Sequence, residues 1–257
     1  MKSDTSNPRI AGVLDMSTVD WYGNVSLVVF WAGCNLRCPY CHNSPLIPLD
    51  SGSLVPPSYL ENRIQQAMHP VPSLDAVVFT GGEPLLQPQA LIAAAKTVKK
   101  HRLGLMLDTN GTLWEAAKQV LETGLFDRVA LDVKAPLTPE DYAKVTGVNQ
   151  PQYVESVRRV LNLCAQKGIE VEARTTVAPG LTDREKQVRS IAREIAGLAD
   201  EYYLQQFSNQ GDILDPVLKA KEPPTRETMV ELAHAALEEG VEKVFIKTRT
   251  GGLERIR

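Results

Sequence analysis

The sequence predicts an α/β fold whose mostly parallel strands form a full or partial (β/α) barrel. Three observations carry this. From Asn24 onward short apolar runs alternate with longer stretches of helical periodicity, the pattern of βαβ units and a parallel sheet. Six or more such units follow one another, which suits a barrel better than an open sheet. Polar clusters recur at the C-terminal ends of the expected strands, where α/β barrels keep their chemistry.

The elements follow in order. The segment "RIAGVLDMSTVDWYG" reads as a short antiparallel addition ahead of the barrel, within an N-terminal extension over 1–23. The period-two pattern of "NVSLVVF" (24–30) is the first barrel strand. A cysteine-rich loop follows, then a Pro/Ser-rich loop over 44–57. Pro57 and Ser58 open a helix to about Met68. Asp75–Thr80 is a strand and Pro88–Arg102 a helix. Leu103–Asp108 is a strand and Thr112–Thr123 a helix. Arg128–Val133 is a strand and Gln152–Lys167 a helix. Ile169–Val177 is a strand, and Asp183–Leu198 a helix with Asp183 as N-cap. Tyr202–Phe207 is a strand, Thr225–Glu239 a helix and Glu242–Thr248 the last strand, leaving 249–257 as a tail. The whole, 1–257, reads as a single domain with the barrel over 24–248. A length of 257 residues suits a one-domain α/β barrel.

Composition excludes little and that little is useful. Lys plus Arg is 28 against 31 Asp plus Glu, a net charge of −3, which argues against a strongly basic nucleic-acid surface. No apolar run approaches the roughly 20 residues of a membrane span. The start, "MKSDTSNPRI", lacks the apolar core of a signal peptide. A cytoplasmic protein is expected, where cysteines stay reduced and serve metals or catalysis.

The chain has four cysteines, and three of them, Cys34, Cys38 and Cys41, fall within eight residues of "GCNLRCPYCHN". Thiolates are soft ligands for zinc or iron–sulfur clusters. A structural zinc needs four ligands. Cys164 lies among apolar neighbours inside an expected helix and reads as a small buried hydrophobe. His42 could complete a zinc site but shares a tight loop with Cys41. A [4Fe–4S] cubane held by three cysteines would instead keep one iron open, and an open position is where a substrate binds.

The spacing C-x3-C-x2-C, with Tyr40 before the last cysteine and "GGEP" one βαβ unit later, resembles the radical S-adenosylmethionine superfamily. "DWYGNVSLVVFWAGCNLRCPYCHN", "TGGEPLLQ", "DTNG" and "LDVKAP" resemble the glycyl-radical-enzyme activases, above all those serving anaerobic ribonucleoside-triphosphate reductase. The resemblance implies a partial (β/α)6-type barrel of the radical SAM kind. It also implies a [4Fe–4S] cluster on Cys34, Cys38 and Cys41, which are then both metal ligands and catalytic. The implied activity is reductive cleavage of S-adenosylmethionine to a 5′-deoxyadenosyl radical, which takes a hydrogen atom from a glycine of the partner. The implied partners are that glycyl radical enzyme and a low-potential electron donor, a flavodoxin or ferredoxin.

The same resemblance assigns Thr80, Gly81, Gly82 and Glu83 to the methionine amino group, against the plain reading of a strand-to-helix turn. It places Tyr40, His42 and Asn43 against adenine. Asp108, Thr109, Asp132 and the Ala130 carbonyl match a monovalent cation site, and Asp108, Thr109, Asn110 and Lys134 the methionine carboxylate region. The plainer alternatives are an Asp132–Lys134 ion pair and a turn at Asn110–Gly111. Arg174, after an alternating strand, could clamp a carboxylate or form an ordinary ion pair. His101, His234 and "KKHR" read as helix-surface features. The loop 208–216 departs from related activases and could receive the partner's glycine loop. Another glycyl radical enzyme, a small molecule or an RNA base remain alternative substrates, because fold alone does not set substrate.

Overall fold

The computed structural model describes residues 7–69 and 74–257; the first six residues of the expected N-terminal extension lie outside the described residues. Internal contacts divide the chain into two compact units. The first comprises Met1–Asn35, Pro45–Thr109 and Glu115–Val129, the second Leu36–Ser44, Asn110–Trp114 and Ala130–Arg257.

The first unit holds strands β1 (Arg9–Ser17), β2 (Ser26–Trp31), β3 (Ser53–Leu54), β4 (Ala76–Gly81) and β5 (Gly104–Thr109), in the order β5-β4-β2-β1-β3. β2, β4 and β5 are parallel, and β1 is antiparallel to β2, as the sequence predicts for the addition before Asn24. β2 and β4 are almost wholly buried, so β2 lacks the in–out alternation that the period-two reading of 24–30 predicts: a parallel strand covered on both faces is apolar throughout. β2 starts at Ser26 because Val25 donates its N–H to the Asp75 carboxylate at 2.8 Å. Helices α1 (Ser58–Ala67) and α2 (Pro88–Lys100) are tied by His101 Nε2 against Glu61 Oε1 at 2.6 Å, a contact that gives His101 a structural role. Trp31 meets Phe79 edge-on with ring centroids 5.5 Å apart in the core.

α3 (Trp114–Leu121) begins later than the pattern predicts. The Asn110 side-chain oxygen accepts from both the Thr112 N–H (3.0 Å) and the Thr112 hydroxyl (2.6 Å), holding the chain in a turn.

After β6 (Arg128–Asp132), the second unit holds β7 (Glu170–Val177), β8 (Glu201–Gln206), β9 (Val244–Thr248) and β10 (Gly252–Ile256), in the order β6-β7-β8-β9-β10. β7, β8 and β9 are parallel. The last nine residues are not a tail: β10 returns antiparallel on β9. α4 (Pro139–Thr146) was not expected. Thr138 caps it by accepting from the Asp141 N–H at 3.2 Å, and Gly147 closes it in the left-handed region. α5 (Gln152–Lys167) keeps its expected bounds, ending at the left-handed Gly168. α6 (Glu185–Ile195) starts two residues late because the Asp183 carboxylate accepts from the Gly180 N–H instead of capping the helix. α7 (Pro216–Lys219) and α8 (Arg226–Glu238) complete the unit. Arg189 and Arg193 bind Glu238 and Glu239, clamping α6 to α8. Cys164 is fully buried in α5, as an apolar residue would be.

Candidate functional site

The cysteine loop leaves β2 in the first unit and is pinned from its first residue. The Gly33 N–H donates to the Leu46 carbonyl at 2.8 Å and the Cys34 N–H to the Ile47 carbonyl at 3.0 Å. The end of β4 packs directly on this start. Gly82 donates to the Trp31 carbonyl at 2.9 Å and Glu83 to the Gly33 carbonyl at 2.7 Å. A Cβ on Gly82 would lie 2.0 Å from the Gly33 oxygen, and one on Gly81, at φ +116°, would lie 2.4 Å from the Trp31 nitrogen. The paired glycines thus let backbone meet backbone where Cys34 is presented.

Glu83 is fully buried. Its Oε1 accepts from the Leu85 N–H at 2.9 Å and from the Thr109 hydroxyl at 2.8 Å. The carboxylate therefore caps the short 3-10 turn Pro84–Leu86 and fastens the end of β5 to the end of β4. Thr80 closes β4, and Asp108 and Thr109 close β5, all within the first unit.

The second unit carries the rest of the loop. Cys38 is buried and Cys41 half-buried, and the Cys41 N–H donates to the Cys38 carbonyl at 3.0 Å. Burial pushes the Cys38 thiol up, with the Lys134 ammonium working against it. Burial pushes the Cys41 thiol up too, opposed by the Asn43 backbone and Lys134. Lys134 donates to the Asp132 carboxylate at 2.8 Å and stands 6.0 Å from the centre of the Tyr40 ring. Burial pulls its pKa down, but Asp132, Tyr40 and Cys38 hold the ammonium well above the usual lysine value. The Tyr40 ring is buried, its own pKa is driven up by that burial, and its hydroxyl has no hydrogen-bond partner among the described residues. The His42 ring lies 6.3 Å from that of Phe207, and burial lowers its pKa.

The ion pair between Asp132 and Lys134 foreseen as the plain alternative is formed. The Asn110–Gly111 turn is formed as well, and a Cβ on Gly111 would lie 2.6 Å from Leu131. Arg174 bonds Glu172 at 2.5 Å in a pair that is nearly buried, with side-chain exposures of 13% and 4%. Sequence reasoning missed Glu172, although its i, i+2 spacing puts it on the same face of β7 as Arg174. It missed Tyr142 too, whose hydroxyl reaches the Asp132 carbonyl at 3.5 Å. Ala130 and Asp132 lie in the second unit, Asp108 and Thr109 in the first. Among the described residues no three His, Cys, Asp or Glu side chains are gathered as ligands of a single metal ion.

The donor set fits an iron–sulfur cluster. Thiols whose pKa burial raises, as at Cys38 and Cys41, give up their protons when a metal takes their place. Soft sulfur ligands select iron–sulfur or zinc over hard cations. A half-buried ammonium and an unsatisfied phenol beside them suit a ligand bearing a carboxylate and polar atoms.

Comparison with known proteins agrees. The family model for the Radical SAM superfamily matches residues 28–192. A Methanocaldococcus jannaschii protein described as a candidate glycyl-radical enzyme activating enzyme is 30% identical over 248 residues, 95% of this chain and 98% of that one. The pyruvate formate-lyase-activating enzyme of Clostridium pasteurianum is 31% identical over 74% of this chain and 77% of its own. A 7-carboxy-7-deazaguanine synthase of Hyperthermus butylicus is 32% identical over 71% of this chain and 81% of its own. The crystal structure of a radical SAM methyltransferase from Sphaerobacter thermophilus shares the fold, with a TM-score of 0.69 at 16% identity over 90% of this chain and 68% of that one. The chain belongs to the Radical SAM superfamily, with the [4Fe–4S] cluster and S-adenosylmethionine that family implies, and within it to the glycyl-radical-enzyme activating family.

Proposed function

We propose that this protein activates anaerobic ribonucleoside-triphosphate reductase. The observation that carries the reading is the near full-length likeness to a candidate activating enzyme, joined to a cysteine loop with a half-buried cation at its side. When bound, the cluster supplies one electron to S-adenosylmethionine, releasing methionine and a 5′-deoxyadenosyl radical that takes a hydrogen atom from a glycine of the partner. The electron comes from a reduced donor, which we take to be a flavodoxin or ferredoxin. Cys34, Cys38 and Cys41 hold the cluster. Lys134 neutralises the methionine carboxylate and its pairing with Asp132 fixes where the ammonium sits. Gly81 and Gly82 set the backbone against which the methionine amino group binds, with Thr80 and Glu83 shaping that turn. Tyr40, His42 and Asn43 line the adenine side. Arg174, held by Glu172, stands ready for the carboxylate region. Asp108, Thr109, Asn110, Ala130 and Asp132 supply oxygens for a monovalent cation and the same carboxylate region. We place the protein in the cytoplasm, where its thiols stay reduced; among the described residues no helix is long and apolar enough to cross a membrane.

The test is anaerobic. The reconstituted, reduced protein is mixed with S-adenosylmethionine and the reductase of the same organism. A glycyl radical doublet in the electron paramagnetic resonance spectrum is expected, with one 5′-deoxyadenosine formed per radical. Steady 5′-deoxyadenosine release without a doublet would overturn the reductase as partner. It would favour a small molecule, the reading that the likeness to a deazaguanine synthase supports.

A further inference from the structure

The segment between β8 and α7, for which the sequence suggests only a place for the partner's glycine loop, touches the cysteine loop repeatedly. The Asp215 N–H donates to the Pro39 carbonyl at 3.0 Å. The Ser44 hydroxyl donates to the Asp212 carbonyl at 2.5 Å, and Asn43 and Asp212 form a parallel β-bridge. The His42 ring faces that of Phe207 and reaches the Gln210 backbone. The segment is itself anchored. The Asp215 carboxylate accepts from the Val217 N–H at 2.8 Å, and the Asn209 amide donates to the Lys221 carbonyl at 3.2 Å. A second grip lies on the other side of Cys38. The Arg37 N–H donates to the Thr146 carbonyl at 2.8 Å, and Gly147, at φ +69°, packs so closely that a Cβ would lie 2.4 Å from the Arg37 oxygen.

We propose that Phe207–Asp215 and the Thr146–Gly147 end of α4 are positioning elements that hold Cys38 and Cys41 at ligating spacing before the cluster arrives. The inference rests on the assignment of those cysteines to the cluster. The physical reason is entropic. A free eight- or nine-residue loop loses backbone freedom when its thiolates are fixed, about 1–2 kcal/mol per residue. A loop already bonded at Arg37, Pro39, Asn43 and Ser44 has lost most of that freedom on folding. Held this way, the cluster dissociates slowly, because releasing one thiolate does not let the others drift.

The variants are Ser44→Ala, Ser44→Thr, Phe207→Leu and Gly147→Ala, each reconstituted anaerobically. The readouts are iron and acid-labile sulfide per chain, the rate of iron release to a chelator without S-adenosylmethionine, and the melting temperature of the cluster-free protein. Ser44→Ala should release iron about fivefold faster, the factor that one lost hydrogen bond of ordinary strength gives. Its melting temperature should fall by no more than about 4 °C, and Ser44→Thr should restore slow release. Phe207→Leu and Gly147→Ala should release faster still. Wild-type protein loading about four irons, with all variants releasing iron at its rate, would overturn this inference alone. Failure of the wild-type chain to bind iron would overturn the cysteine assignment and this inference with it.

Discussion

Gly82→Ala isolates the contact that presents Cys34. The new Cβ would stand 2.0 Å from the Gly33 carbonyl oxygen and 2.7 Å from its carbon. Carbon–oxygen contacts close to about 3.3 Å at best, so the end of β4 and the start of the cysteine loop must part by about 1.3 Å. Two hydrogen bonds span that gap, from Gly82 to Trp31 and from Glu83 to Gly33. Their loss costs about 1 kcal/mol each, and relieving the overlap adds about 1–3 kcal/mol. A total of about 3–5 kcal/mol corresponds to a fall of about 10–15 °C in melting temperature for a chain of this size. The assay is thermal unfolding of the cluster-free protein followed by circular dichroism. Gly12→Ala is the control, because a Cβ there meets no atom within 4 Å; it should change stability by less than about 0.5 kcal/mol. In the reconstituted protein, displacing Cys34 by about 1 Å should lower S-adenosylmethionine cleavage on the order of a hundredfold. A Gly82→Ala protein that melts with the wild type and the control would refute the argument that these glycines serve backbone contact.

Three further outcomes are expected. Replacing Cys34, Cys38 or Cys41 by Ala should abolish S-adenosylmethionine cleavage while Cys164→Ala retains it; full cleavage by the Cys38 variant would remove the cluster assignment. Lys134→Gln should raise the KM for S-adenosylmethionine about tenfold or more, the worth of one charge-assisted hydrogen bond, with iron content unchanged; an unaltered KM would show that the ammonium serves only Asp132. Burial raises the Cys164 thiol from 9.0 to about 12. Folded protein therefore keeps a proton that unfolded chains release, so this stability is present below pH 9 and is lost as pH rises from 9 towards 12. Urea unfolding should show wild type losing about 1.4 kcal/mol per pH unit above 9 that Cys164→Ala does not lose, and parallel curves would contradict it.

Much of the fold was legible because its signals are local. α5 runs between Pro151 and a left-handed Gly168, and its apolar face repeats without interruption. α4 was equally legible and was passed over. "LTPEDYAKVTG" holds a capping Thr138, Pro139 at the first turn, two early acids and a closing Gly147. β10 hid behind a short turn in which the Gly251 N–H donates to the Thr248 hydroxyl at 3.0 Å. Asp183 and Asn110 hid the true helix starts for one reason: each side chain accepts from a backbone N–H of a turn instead of capping a helix, Asp183 from Gly180 and Asn110 from Thr112, and sequence spacing does not rank those alternatives.

The site divides along a different line. The candidate residues stand out by type: three thiols at C-x3-C-x2-C spacing, an Asp-x-Lys and a tyrosine between the second and third thiols. What holds the loop in place does not. The Thr146, Asp212, Pro39 and Gly33 carbonyls do that holding, and a carbonyl is the same in every residue. A carbonyl's grip does not depend on which side chain stands at its residue, so the backbone contacts of Asp212 and Asp215 would survive a change of side chain there. Positions with no room for a Cβ, such as Gly82 against Gly33 and Gly147 against Arg37, leave a mark of those contacts in the sequence. Both are glycines beside the cysteine loop. Each looks like an ordinary turn residue until the opposing carbonyl is seen.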